Sequence, residues 1–193
     1  IPVGANGAYC TIGGRSALSI AQSVCANAKA IMTTGSCSAN GGLPCANPNP
    51  STAKSVLEAM PEYGAKLINI PGCPANVVNM VSSIVYLVSF GTWPTLDSSK
   101  RPTFAYSVRV HDRCFRKGRE EAKIFGDAKY LNGGCLKEIG CRGPETYANC
   151  PTVKWNGGVC WPIESGHGCI SCTSSKFWDT KLSPTKPLFR ANP

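Results

Sequence analysis

The chain has 193 residues, 42% of them hydrophobic, with twelve cysteines, two histidines and a formal net charge of +9. That length allows one large domain or two small ones, and no apolar run can cross a bilayer: the longest, Val77 to Phe90, is broken by Asn79, Ser82 and Ser83. Cysteine at about 6% is too sparse for a small disulfide scaffold and too dense for an ordinary enzyme; the even count permits six disulfides or free thiols, but the close spacings point to thiolate ligands for soft metals.

Taken in chain order, the first half alternates helix and strand patterns, as a parallel α/β unit does. Ser16 can cap a helix running to about Ala28, with Ala17, Ile20, Ala21 and Val24 as its apolar face. Lys29 to Thr34 reads as a strand, and Gly35-Ser36-Cys37 as the turn at its carboxyl end, where open α/β sheets place their sites. After the Pro- and Asn-rich stretch Pro44 to Pro50, Ser51 or Thr52 is expected to start a helix through about Met60. Lys66 to Ile70 is the next strand, and Pro71-Gly72-Cys73-Pro74 again puts a cysteine just after it. Two cysteines at equivalent strand ends can lie close in space, as a disulfide, a redox pair or half of a cluster site. Asn76 to Phe90 is a helix, and Gly91 to Arg101 marks a boundary rich in turn residues.

Beyond the boundary periodicity fades. Arg119 to Phe125 is expected as a short helix and Cys135 to Ile139 as one turn, but apolar repeats are too few to build a core without cross-links. The fold class is therefore α/β: a parallel-sheet domain over residues 1–95, then a mostly irregular domain over residues 96–193. The second half also holds the charge, sixteen Lys/Arg against nine Asp/Glu, compared with four against two before it. Such a surface reads as solvated and partly offsetting thiolate charge, or as a face for an acidic partner, nucleic acid or anionic lipid.

The last eighty-odd residues carry the chemistry. His111-x2-Cys114 and Cys135-x5-Cys141 bring four donors together, enough for a 4Fe-4S cluster and equally for a Cys3His zinc site. Cys150, Cys169 and Cys172 form a three-thiolate set suited to a 3Fe-4S cluster, with Cys160 as a possible fourth ligand and His167 as the partner in a zinc alternative. Cys10, Cys25 and Cys45 show no ligand spacing and read as structural. No Gly-x-Ser-x-Gly elbow, P-loop or Gly-x-Gly-x-x-Gly is present. Trp155, Trp161, Phe177 and Trp178 are expected to pack around buried centres rather than stack on bases.

Several blocks in order resemble the small subunit of nickel-iron hydrogenases: Gly35-Ser36-Cys37-Ser38-Ala39-Asn40-Gly41-Gly42, Pro48-Asn49-Pro50, Pro71-Gly72-Cys73-Pro74, His111-Asp112-Arg113-Cys114, Cys135 to Pro144, and Ser165 to Cys172 followed by Phe177-Trp178-Asp179. The resemblance implies a flavodoxin-like first domain, a cluster-binding second domain and a three-cluster electron relay. It serves a nickel-iron centre held by a separate large subunit. Under it His111, Cys114, Cys135 and Cys141 are ligands of a distal 4Fe-4S cluster. Cys150, Cys169 and Cys172 are ligands of the medial cluster, and Cys37 and Cys73 are two of four ligands of a proximal 4Fe-4S cluster.

Three departures from the family pattern stand out. The family's first Cys-x-x-Cys is absent, and Ile1-Pro2 resembles the end of its Glu-Gly-x-Ile-Pro strand. The start lacks both an initiator Met and a signal-peptide pattern, so the chain reads as the middle of a longer one, with the other proximal ligands before Ile1. Pro162 stands where selenium-containing relatives have a cysteine, which favours 3Fe-4S at the medial site over 4Fe-4S. Gly42 stands where oxygen-tolerant relatives carry an extra cysteine. The implied partners are the large subunit and a cytochrome or other electron acceptor, with no nucleic acid. The implied location is periplasmic or membrane-associated through a partner, no anchor being read in Phe189 to Pro193. A ferredoxin-like subunit of another oxidoreductase and a zinc-stabilised, basic nucleic-acid-binding protein are the competing readings.

Overall fold

A computed structural model describes residues 1–178; Asp179 and the Phe189 to Pro193 tail lie outside the described residues. A small antiparallel pair, β1 (Thr11–Ile12) and β2 (Arg15–Ser16), leads into α1 (Ala17–Ala26). Ser16 caps α1 as expected, its side chain accepting from the Ser19 N–H. At the other end the Lys66 ammonium donates to the Cys25 and Ala28 carbonyls, satisfying acceptors that a helix end leaves open.

The sheet is small and parallel. β3 (Ile31–Thr34) pairs with β4 (Leu67–Ile70) in register, Ile31 opposite Leu67 and Thr34 opposite Ile70. β-Branched side chains at five of these eight positions suit a pleated, buried surface. Thr33 and Asn69 join across the pair by a 2.7 Å side-chain hydrogen bond. The outer edge of β4 is covered by the boundary segment, where Asn69 donates from its backbone to Lys100 O and from its side chain to Ser99 O. All four β4 residues are buried.

Between the strands, α2 (Ser36–Asn40) begins immediately after Gly35, so Cys37 lies in a helical first turn rather than in an open loop. The expected helix from Ser51 or Thr52 is only α3 (Val56–Ala59), capped by Ser55 with Glu58 in a reciprocal capping box. The Asn49 side chain explains the shortening: it bonds both the N–H and the carbonyl of Ala53, and Thr52 is left-handed at φ +49°. α4 (Val77–Phe90) matches its expected span, with Asn76 as N-cap and left-handed Gly91 as C-cap. It is inside out: its buried residues are Asn79 and Ser83, while Val77, Val81, Val85, Val88 and Phe90 are exposed.

The second half corrects two expectations. It does build a core: Ala105, Tyr106, Val110, Leu136, Ile139, Trp161 and Ile163 form one buried cluster, with Tyr130 and several cysteines packed against it. Long repeats were not needed, because short elements each contribute one or two side chains. These include α5 (Thr103–Tyr106) and 3-10 turns at Val110–Arg113 and Lys137–Ile139. The helix expected at Arg119 to Phe125 is not formed. There Glu121 pairs with Cys135 in a parallel bridge, and Asp127 starts α6 (Ala128–Leu131) instead, accepting from Tyr130 N–H at 2.6 Å. α7 (Cys150–Val153) completes the order.

Candidate metal centres

The parallel strands place Cys37 and Cys73 at one sheet end. Gly35 N–H donates to Ile70 O and Ser36 N–H to Gly72 O, which extends the β3–β4 pairing into both cysteine loops. Ser36, 1% exposed, locks them: its hydroxyl accepts from Gly72 N–H and donates to Cys172 O in the second half. Space is tight here, since a Cβ on Gly42 would lie 2.9 Å from Cys37 N. Cys73 has its thiol pKa raised, first by burial and then by Cys37.

Cys150, Cys169 and Cys172 line one apolar cavity with Trp155, Trp161, Pro162 and Ile163. Burial comes first in raising all three thiols, that of Cys169 to about 11, and their mutual repulsion adds for Cys169 and Cys172. Ser171, fully buried and left-handed at φ +61°, turns its N–H toward Cys169 Sγ at 3.4 Å. Cys160 does not line this cavity; it pairs with Trp155 in an antiparallel bridge, while Pro162 does line it. Trp155 and Trp161 thus pack around this site as expected, whereas Phe177 and Trp178 do not line it. His167 directs its ring Nδ1 to Gly168 O.

The residues of the four-donor set sit on irregular backbone. Residues 108–110 run against 146–148 through Val110 N–H to Thr146 O and Ala148 N–H to Val108 O, which seats the turn carrying His111. Cys114 N–H closes that turn on His111 O. Cys135 is held by the bridge to Glu121, and Cys141 returns its N–H to Leu136 O after left-handed Gly140. Cys114 has its thiol pKa raised chiefly by burial, with Cys135 adding to the effect and the Arg116 N–H opposing it. Burial pushes the Cys141 thiol up to about 12.

These three groups are contiguous. The Ser36 hydroxyl joins the Gly72 N–H, next to Cys73, to Cys172 O; Cys172 shares a cavity with Cys169, and Cys169 N–H donates to Cys141 Sγ at 3.2 Å. Further N–H donors reach sulfur from Arg116 to Cys114 and from Gly143 to Cys141, each at 3.4 Å. Backbone donors of this kind stabilise thiolate over thiol, and protons held by the buried thiols would leave as metal binds. Among the described residues no three donors converge as a single metal ion requires. The donor chemistry, thiolates with one imidazole, is of the kind that holds iron-sulfur clusters and also zinc.

Two site features escaped the reading from sequence. Arg116 and Arg142 are 7% and 3% exposed, whereas the basic half reads as solvated surface. Each lies within two residues of a candidate ligand cysteine, but so do the exposed Arg113 and Lys137, so position in the sequence does not set them apart. Ser36 had no signal beyond its place beside Cys37.

Residues 106–184 match the family model for the C-terminal region of the NiFe/NiFeSe hydrogenase small subunit, and residues 5–87 match that for the NADH ubiquinone oxidoreductase 20 kDa subunit. A recombinant [NiFeSe] hydrogenase from Desulfovibrio vulgaris Hildenborough superposes with a TM-score of 0.83 and 31% identity, over 97% of this chain and 72% of that one. The chain belongs to the nickel-iron hydrogenase small-subunit family. The quinone-reactive Ni/Fe-hydrogenase small chain of Wolinella succinogenes is 40% identical over 186 residues, covering 93% of this chain and 52% of the relative. The periplasmic [NiFe] hydrogenase small subunit of Solidesulfovibrio fructosivorans is 42% identical over 184 residues, covering 93% and 57%. This family member therefore spans about half the length of the curated relatives it matches.

Proposed function

We propose that this chain is the electron-transfer part of a hydrogenase, relaying electrons between a nickel-iron site on a large subunit and an external acceptor. The series of candidate ligands from the Cys37 and Cys73 loops, joined through Ser36 to Cys172, then Cys169, Cys141 and the His111 turn, carries the reading. Cys37 and Cys73 hold part of a proximal 4Fe-4S cluster. Cys150, Cys169 and Cys172 hold a medial 3Fe-4S cluster, and His111, Cys114, Cys135 and Cys141 hold a distal 4Fe-4S cluster. When bound, these groups supply one-electron carriage.

The residues around them do the rest. Apolar lining by Trp155, Trp161 and Ile163 keeps water from the medial set, and backbone N–H groups stabilise thiolate charge. Pro162, not a sulfur donor, faces the medial cavity, which supports a three-ligand cluster. The first domain, residues 1–95, takes the role of the flavodoxin-like unit, and residues 96–193 that of the cluster domain. Names of relatives such as periplasmic and quinone-reactive support a periplasmic or membrane-associated setting, with a cytochrome or quinone-linked acceptor.

Substituting Cys37 with Ser tests the assignment. Hydrogen-dependent dye reduction by the isolated complex is expected to fall at least about tenfold while nickel content stays at the wild-type level. Unchanged dye reduction would contradict it.

A further inference from the structure

Arg116 is a buried cation that lacks a matching anion. Its guanidinium lies over the Phe115 ring at 5.3 Å from the centroid, and its Nη1 donates to Gly134 O at 2.8 Å. Its backbone N–H donates to Cys114 Sγ, and Nε is buried without a partner. Among the described residues no carboxylate pairs with it, whereas Arg142 has Glu145 at 3.4 Å. Guanidinium cannot escape by releasing its proton, so a buried one needs negative charge nearby. Its backbone anchors put it between Cys114 and Cys135, whose thiolates would carry that charge.

We propose that Arg116 is a positioning residue that acts as the fixed counter-charge of the cluster held by His111, Cys114, Cys135 and Cys141, and raises its reduction potential. This rests on the electron-relay reading above. Reduction adds one electron, and a neighbouring cation stabilises the more negative, reduced form. A negative cluster close by would also offset the charge of the guanidinium whose Nε is left without a partner.

The test is an EPR-monitored redox titration of the anaerobically isolated complex, with the signal assigned through His111→Cys. In Arg116→Gln the midpoint is expected to fall, so that at the wild-type midpoint the oxidised-to-reduced ratio rises at least tenfold, about 59 mV for a one-electron couple. Arg116→Lys should assemble and retain most of the wild-type potential. Arg113→Gln, which removes an exposed charge from the same turn, should move it by less than a third as much. Equal potentials in wild type and Arg116→Gln, or equal drops in the Gln and Lys variants, would overturn the proposal. If Arg116→Gln does not assemble, the Lys variant decides: normal assembly and potential support the charge role, and the same failure contradicts it. A wild-type complex with no iron-sulfur signal would instead overturn the relay reading itself.

Discussion

Gly42 shows how closely single residues govern the thiols. It is left-handed at φ +52°, and a Cβ there would press on Cys37 N and Cα at 2.9 and 3.0 Å. Neither atom can move without shifting Cys37. Gly42→Ala is therefore expected to cost about 1–3 kcal/mol and to lower iron content, measurable by thermal melting and metal analysis against Gly13→Ala, whose Cβ meets nothing within 4 Å. At this scale the cysteines stand out in the sequence because their spacing is that of ligand sets. Arg116, Arg142 and Ser36 do not, because burial of a basic or small polar side chain leaves no periodic trace in sequence.

Among the elements, caps were easier to read than lengths. Ser16, Asn76 and the two strands stand where residue type places them, since capping and branched-residue preferences act locally. The helix before Met60 was overestimated, because the Asn49 side chain competes for Ala53 across four residues. Ser55, and not Ser51, is the cap, so Ser55→Ala should lower stability by about 1 kcal/mol in chemical denaturation while Ser51→Ala leaves it nearly unchanged. The α4 pattern could be assigned as helix but not given an orientation, because it is apolar on nearly every face. Val88 is 79% exposed and Phe90 67%, so the isolated chain is expected to self-associate. Sedimentation velocity should show this, and Val81→Glu with Val85→Glu should shift the chain toward monomer.

Across the whole molecule, the two halves are joined at the sulfur path. Ser36 reaches Cys172 O, Asn40 donates to Ser174 O, Asn79 and Asn149 exchange side-chain hydrogen bonds, and Arg101 donates to Thr173 O. None of these contacts is local in sequence, which is why the reading of two domains missed how firmly they meet. Asp97 holds the boundary itself, accepting from the Ser99 and Arg101 backbones and pairing with the Arg101 guanidinium at 2.8 Å. Limited proteolysis is accordingly expected to spare residues 96–101, with Asp97→Ala opening them to cleavage. Metal content tests the central claim most directly: iron, acid-labile sulfide, zinc and nickel in the complex isolated anaerobically with its accompanying chains. The relay account predicts iron and sulfide in near-equal amounts, nickel on a separate subunit and no stoichiometric zinc. Zinc without sulfide, or a chain free of metal, would contradict it.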